Sequence, residues 1–311
     1  MTTSLCGKDI LRTDVLVREE LDLIMSVAAR FDSVSRLGGR LTNMGGRRLA
    51  TLFYEPSTRT RLSFEAAMMN LGGQVLSVAD AKTSSSAAKG ETLFDTGKMI
   101  EAYADVAVIR HPTLGSAKEL ADGASIPVIN AGDGAGQHPT QALLDLFTIQ
   151  KEKGRVDGLT VSLVGDLKNG RTVHSLSSLL ANFGVAFYFV APDALSMPEE
   201  ITTGLRAQGV TIVETPDLAE AAAKSDILYM TRIQRERFAD PAEYDRLKGA
   251  YVLDRALIER AKSKPTVLHP LPRVDEIATD VDGYEGAAYF RQAANGVPVR
   301  MALLALVTGR E

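Results

Sequence analysis

The sequence predicts an α/β protein built as two open parallel-sheet units with helices on both faces. Three observations carry this expectation. Short β-rich runs alternate with helical patterns along most of the chain, the alternation pauses and restarts around residues 153–159, and 311 residues exceed one ordinary core while falling short of three.

Taken in order, residues 13–31 set Val15, Leu16, Leu21, Leu23, Ile24, Val27 and Ala28 at helical spacing, which predicts an opening amphipathic helix. Strands are expected at 49–54, 74–78, 106–109 and 127–129, with helices at 62–71, 93–102 and 116–121 between them. Such alternation implies parallel pairing through right-handed crossovers. A helix over 140–151 leads into the restart, followed by strands at 160–164, 186–190, 210–213, 227–230, 251–253 and 266–268. A final apolar helix, 299–307, follows Asn295–Pro298, which could let it reach back across the first unit. The Ser84–Ala88 run reads as a flexible loop by composition.

Composition narrows the classes of function. With 45% hydrophobic and 24% charged residues, the chain is neither disordered, collagenous nor membrane-like. A formal charge of −4 argues against a broad basic face for nucleic acid, so any positive site must be local. Cys6 is the single cysteine, which excludes an internal disulfide framework and a thiolate zinc cluster and fits a reducing, cytoplasmic compartment. His111, His138, His174 and His269 show no metal-ligand spacing, so neither metal nor cofactor is assigned. The first thirty residues carry acids throughout and lack the apolar run of a signal peptide, and no stretch approaches the ~20 apolar residues of a membrane span.

Ligands of open parallel sheets bind beyond the carboxyl ends of the strands. After the first strand comes Glu55-Pro56-Ser57-Thr58-Arg59-Thr60-Arg61, which sets three hydroxyls and two guanidiniums at a helix N-terminus. Free backbone N–H groups and the helix dipole already favour an anion there, so the run reads as a phosphate cradle. The plainer reading is a Ser/Thr N-cap with surface arginines. Arg110 ends the strand at 106–109 and is either a structural ion pair or a second cation for the same crevice. His138 stands at a helix start before Pro139, where the dipole opposes protonation and leaves an imidazole able to donate to a carbonyl oxygen. A purely structural histidine is the competing reading.

Gly165-Asp166-Leu167-Lys168-Asn169-Gly170-Arg171-Thr172 has the spacing of a nucleoside-triphosphate P-loop, but Arg171 occupies the lysine position. An arginine fork suits a carboxylate better. Arg232 and Gln234 follow the strand at 227–230 and add a second fork and an amide. Two anionic substrates meeting between the units would explain both sets. His269-Pro270-Leu271-Pro272-Arg273 should be held extended by its prolines, with carbonyls facing a ligand amine or simply forming a rigid surface turn.

Together these segments resemble the aspartate/ornithine carbamoyltransferase family from about residue 8 to about 307. The matching motifs are STRTR (57–61), KGET (89–92), RHP (110–112), HPTQALLDL (138–146), VGDLKNGRTVHS (164–175), MTRIQRER (230–237) and HPLPRVDEIATDVD (269–282). Ornithine-using relatives carry a cysteine in the turn that here reads HPLP, so the resemblance is to members whose acceptor is L-aspartate. It implies transfer of the carbamoyl group of carbamoyl phosphate to aspartate in pyrimidine (UMP) biosynthesis, by direct attack without a covalent intermediate. The alternatives are another acceptor such as ornithine, or a P-loop-like nucleotide hydrolase.

By the resemblance, residues 1–139 with the C-terminal helix 293–311 bind carbamoyl phosphate, residues 140–292 bind aspartate, and the active site lies in the interdomain cleft. Ser57, Thr58, Arg59, Thr60 and Arg110 would hold the phosphate. Arg59, Thr60 and His138 would polarise the carbonyl, and Gln141 would hold the carbamoyl amino group. Arg171, Arg232, Gln234 and the Leu271 carbonyl would receive aspartate, and Glu55 would orient arginines when the domains close. Lys89 and Ser85, with Ser84 or Ser86 as substitutes, would reach a neighbouring subunit's site in a homotrimer with shared active sites. Association with separate regulatory chains is left open.

Overall fold

Parallel pairing organises both halves of the chain. The computed structural model describes residues 4–235, 238 and 240–311, with the backbone alone at 84 and 243. In the first half, β1 (Arg48–Phe53), β2 (Gln74–Val78), β3 (Val106–His111) and β4 (Val128–Asp133) form one parallel sheet in the order β2-β1-β3-β4. The helices here are α1 (Arg18–Arg36), α2 (Thr58–Asn70), the one-turn α3 (Ala81–Ser84), α4 (Leu93–Ile100), α5 (Ser116–Gly123) and α6 (Pro139–Lys153).

In the second half, β5 (Thr160–Val164), β6 (Ala186–Val190), β7 (Ile212–Thr215), β8 (Ile227–Met230) and β9 (Thr266–Leu268) pair in the order β7-β6-β5-β8-β9, again all parallel. Helices α7 (Arg171–Leu180), α8 (Glu199–Ala207), α9 (Leu218–Lys224), α10 (Pro241–Leu247), α11 (Arg255–Arg260) and α12 (Tyr289–Val307) accompany it. The chain divides into two compact units, Met1–Phe147 with Asn295–Glu311, and Thr148–Ala294, so it passes between them inside α6 and again inside α12.

The central strands are buried because helices cover both faces of a parallel sheet, while the edge strands β2 and β7 stay partly exposed. All of β8 is buried, as are Val161 to Val164 of β5. Leu52, Ile109, Leu120 and Val128 pack in the first core, and Val164, Val190, Leu228, Met230 and Val267 in the second. No helix among the described residues is long and apolar enough to cross a membrane.

Several boundaries differ from the expected ones for local reasons. Helix α1 starts at Arg18, because the Glu20 carboxylate turns back to accept the Val17 N–H at 3.2 Å and caps the helix there. Residues 251–253 form no strand; only Leu253 makes an isolated bridge, to Ile277. The serine-alanine run is not a plain loop but a 3-10 turn, Ser86–Lys89, whose Ala87 N–H donates to the Ser85 hydroxyl. Helix α12 begins ten residues earlier than its apolar stripe suggests and carries Pro298 inside it. Ile10 also bridges to β4, accepting from Asn130 N–H and donating to the Val128 carbonyl, each at 2.9 Å.

Helices α4 and α5 meet through glycines. A methyl group on Gly123 would fall inside the van der Waals shell of the Phe94 carbonyl oxygen, and one on Gly97 would crowd Leu120. Gly123→Ala must therefore move backbone against backbone. We expect about 1–3 kcal/mol of destabilisation in chemical denaturation; an unchanged midpoint would contradict this close approach.

Candidate active site

The order of the first sheet reverses between β1 and β3, since β2 lies on one side of β1 and β3 on the other. Ligand crevices form beyond the carboxyl ends of strands at such reversals. Phe53 and Arg110 are register partners at the end of β1 and β3, and Tyr54 N–H donates to the Arg110 carbonyl at 2.8 Å. The Arg110 guanidinium lies 2.7 Å from the Glu55 carboxylate, so both expected site residues stand at this mouth.

The segment that follows enters α2. Ser57 occupies the N-cap position, yet its side chain makes no capping hydrogen bond among the described residues. Thr58, Arg59 and Thr60 make the first turn, with Thr60 buried and Arg59 exposed at its tip. Partial desolvation draws the Arg59 guanidinium below its ordinary value. Arg61 corrects the expectation of two cations in the cradle: its Nη1 lies 3.2 Å from Glu65 and 3.1 Å from the Ser77 hydroxyl. A helical residue three or four positions from an acid is drawn along the helix surface, away from the terminus.

The glycine-rich turn before α6 is organised by Asp133. Its carboxylate accepts from Gln137 N–H at 2.9 Å, Gly115 N–H at 3.1 Å and the Asn130 amide at 3.1 Å. This delivers His138 to the start of α6, where its carbonyl accepts from Gln141 N–H at 3.0 Å and its imidazole is buried. Gln141, also buried, donates through Nε2 to Asp145 at 2.8 Å.

Ser85 and Lys89 lie beside a cavity of about 550 Å³ that Tyr54, Glu91 and Thr96 also line. The Ser85 hydroxyl donates to the Ala81 carbonyl and accepts from Ala87 N–H, so it serves its own turn, while Lys89 is exposed. The side chain of Ser84 lies outside the described residues, and Ser86 is exposed.

In the second sheet the order reverses between β5 and β8. Arg171, at the first position of α7, follows β5; Arg232 and Gln234 follow β8, and all three are half-buried. The loop that leads to Arg171 rules against the nucleotide-hydrolase reading on backbone grounds. Leu167 and Lys168 donate their N–H groups to the Leu195 carbonyl at 3.1 and 3.0 Å, and Asn169 N–H donates to Asp166 at 3.0 Å. A P-loop must aim those amides at phosphate. Glu236 and Arg237, the tail of the MTRIQRER motif, lie outside the described residues.

The turn after β9 departs from the extended form expected of its prolines. Leu271 adopts φ 57°, and its bond to Pro272 is cis. A buried imidazole braces the turn. His269 Nδ1 accepts from Leu271 N–H at 2.7 Å, so the ring hydrogen sits on Nε2 and is donated to Glu276 Oε1 at 2.6 Å. The other Glu276 oxygen accepts from Val274 and Asp275 N–H at 3.2 Å each. Asp133, Asp145, Asp166 and Glu276 were not among the residues expected to matter. Only Asp145, four positions beyond Gln141, and Asp166, three before Asn169, carry a local sequence signal.

Burial lowers the pKa of His269 despite the opposing carboxylate and with help from Arg273 and Arg232; burial is also the largest single influence on Glu276 and pushes it up, but the contacts with His269 and the backbone N–H groups together leave it below its ordinary value. Both depressed values stabilise the fold above the unfolded pKa and lose that stability as pH falls. His111 and His174, also lowered chiefly by burial, act in the same direction. The urea midpoint should therefore drop as pH falls through about 6.5, where unfolded histidine titrates. His269 should keep its neutral NMR signature below that pH, and protonation near 6.5 would contradict the lowering by burial.

With this geometry in place, comparison with known proteins gives a consistent result. Residues 8–151 match "Aspartate/ornithine carbamoyltransferase, carbamoyl-P binding domain" and residues 157–307 match "Aspartate/ornithine carbamoyltransferase, Asp/Orn binding domain". The aspartate carbamoyltransferase catalytic subunit of Thermococcus kodakarensis is 52% identical over 303 residues, covering 97% of each chain. The crystal structure of Trypanosoma cruzi aspartate transcarbamoylase in complex with carbamoyl phosphate and aspartate superposes with TM-score 0.92 at 44% identity, covering 97% of each chain. The same enzyme in complex with N-(phosphonacetyl)-L-aspartic acid gives TM-score 0.92 at 44% identity, covering 97% of this chain and 96% of that one. The chain belongs to the aspartate/ornithine carbamoyltransferase family.

Proposed function

We propose that the protein transfers the carbamoyl group of carbamoyl phosphate to the amine of L-aspartate, giving N-carbamoyl-L-aspartate and phosphate. The observation that carries this is the pairing of each sheet reversal with its own anion chemistry. At β1/β3 stand a helix N-terminus, hydroxyls, Arg59 and Arg110, a set suited to phosphate. At β5/β8 stand Arg171 and Arg232, two forks suited to a diacid. Ornithine would bring a side-chain ammonium to those guanidiniums, and the HPLP turn also favours the dicarboxylic acceptor. The T. cruzi relative is described with carbamoyl phosphate and aspartate bound, which supports the same pair of reactants here.

Ser57, Thr58, Arg59, Thr60 and Arg110 hold the phosphate in this reading. Arg59, Thr60 and His138 donate to the carbamoyl oxygen, and Gln141 holds the carbamoyl nitrogen. Arg171, Arg232 and Gln234 hold the aspartate carboxylates, with the Leu271 carbonyl at its amine. Attack by the free amine builds negative charge on the carbamoyl oxygen before the C–O bond to phosphate breaks. Donors already fixed there stabilise that charge more than the starting carbonyl, each by about 3–4 kcal/mol. Glu55, engaged with Arg110 in its own unit, is proposed to orient arginines as the site closes. Lys89 and Ser85 are proposed to complete the site of a neighbouring subunit in a homotrimer. The place of the enzyme is then the cytoplasmic route to pyrimidines.

The purified chain should form carbamoyl-aspartate from its two substrates and turn over ornithine at least ~100-fold less efficiently; equal use of ornithine would refute the acceptor assignment. Arg59→Ala should lose both binding and turnover, whereas His138→Ala should lower kcat by roughly 100- to 1000-fold with little change in the KM for carbamoyl phosphate.

Subunit sharing has its own check. Mixing inactive Lys89→Ala and Arg59→Ala proteins should restore activity, since one intact composite site forms; verified mixed trimers that stay inactive would remove the sharing.

A further inference from the structure

Gln141 carries an amide whose two ends are nearly the same size but opposite in hydrogen-bonding sense. One end is an acceptor oxygen and the other a doubly donating nitrogen. Which end meets a ligand decides what the site recognises. The neighbour that settles this is Asp145, four residues along α6 and fully buried, whose Oδ1 takes a hydrogen from Gln141 Nε2 at 2.8 Å. The carboxylate oxygen therefore holds the nitrogen end, and the Gln141 oxygen is the end of the amide not engaged with Asp145.

Helix α12 carries a buried cation of its own. Arg300 is 3% exposed and interacts electrostatically with Asp145. Burial draws it down to about 10, with Asp145 opposing the change, so it remains charged at neutral pH. Its guanidinium carbon lies 5.0 Å from the centre of the buried Phe64 ring on α2, and its Nε has no hydrogen-bond partner among the described residues. Room for the guanidinium comes from Gly296, one turn earlier, where a methyl group would collide with Nη1. An unsatisfied buried donor and a glycine inside a helix are both costly. A packing role alone would be met more cheaply by an apolar side chain.

We infer that Asp145 is a positioning residue that locks the Gln141 amide with its oxygen toward the ligand, and so sets the preference for a carbamoyl over an acetyl phosphate. This rests on the proposed reading of Gln141 as the partner of the carbamoyl nitrogen. A carbamoyl –NH2 donates to that oxygen; the methyl of acetyl phosphate, alike in size and attached to the same phosphate, leaves it unsatisfied. Without Asp145 the amide can turn and the distinction fades. Asp145→Asn does this with little change of shape, because its own amide can face either end of Gln141.

The test compares wild type, Gln141→Ala, Asp145→Asn and Asp145→Asn/Arg300→Met, the last removing both buried charges so that folding does not depend on an orphaned cation. For each, the KM for carbamoyl phosphate is measured beside the inhibition constants of acetyl phosphate and inorganic phosphate, the preference being the acetyl phosphate constant divided by that KM. Wild type should favour carbamoyl over acetyl phosphate at least tenfold. Both Asp145 variants should lose roughly 10- to 100-fold of that preference, as Gln141→Ala does, with the phosphate constant within about twofold. Phosphate lacks the group that Gln141 reads, so a merely structural defect would weaken all three ligands together. That pattern, a wild type without the preference, or a preference that survives in either folded Asp145 variant overturns the inference. If Gln141→Ala keeps the preference, the role of Gln141 falls and the inference with it. A wild type that forms no carbamoyl-aspartate would instead refute the proposed reaction.

Discussion

Parallel strand pairing is the constraint on which the remaining structure depends. In a parallel sheet every strand ends on the same edge, so each loop that leaves a strand starts from that edge. Winding outward from a central strand and then crossing back opens a gap between the first strands of the two directions. Here the gaps fall at β1/β3 and β5/β8. Glu55 through Thr60, and Arg110, follow the first pair; Arg171, Arg232 and Gln234 follow the second. Segments some fifty to sixty positions apart in sequence leave adjacent strands at one edge because the ladder, not the loop, dictates where each begins.

The loops themselves are shaped by carboxylates that collect backbone N–H groups. Asp133 closes the turn before His138, Asp166 closes the turn before Arg171, and Glu276 braces the turn at Leu271 through His269. Buried amides must be satisfied, and one acidic side chain can satisfy two or three at once. The consequence is that the backbone around His138, Arg171 and Leu271 is ordered by the fold itself. The same device explains why the loop after β5 does not act as a nucleotide cradle. Its amides are already engaged.

A second layer of order links α2, α6 and α12 through one guanidinium. Phe64, Asp145 and Gly296 come from three helices and each accommodates Arg300 differently, by ring face, by charge and by vacated space. The helix that begins at Thr58 thereby packs its Phe64 ring against a residue near the far end of the chain.

The sequence by itself determined the α/β class, the parallel alternation, most strand positions and the family, because hydrophobic period and short motifs are local properties. STRTR could be read as a candidate anion site from residue type alone, whereas HPTQ and HPLPR took on candidate roles only through neighbouring segments and the family resemblance. It did not determine that Arg61 turns to Glu65 while Arg110 turns to Glu55, that Leu271 takes a left-handed backbone, or that residues 251–253 stay outside the sheet. Nor did it reveal Arg300 as a partner of Asp145. Only the tertiary structure decided these, because the direction of a side chain and the fate of a marginal strand depend on partners that arrive from distant segments, and no local pattern encodes which partner wins.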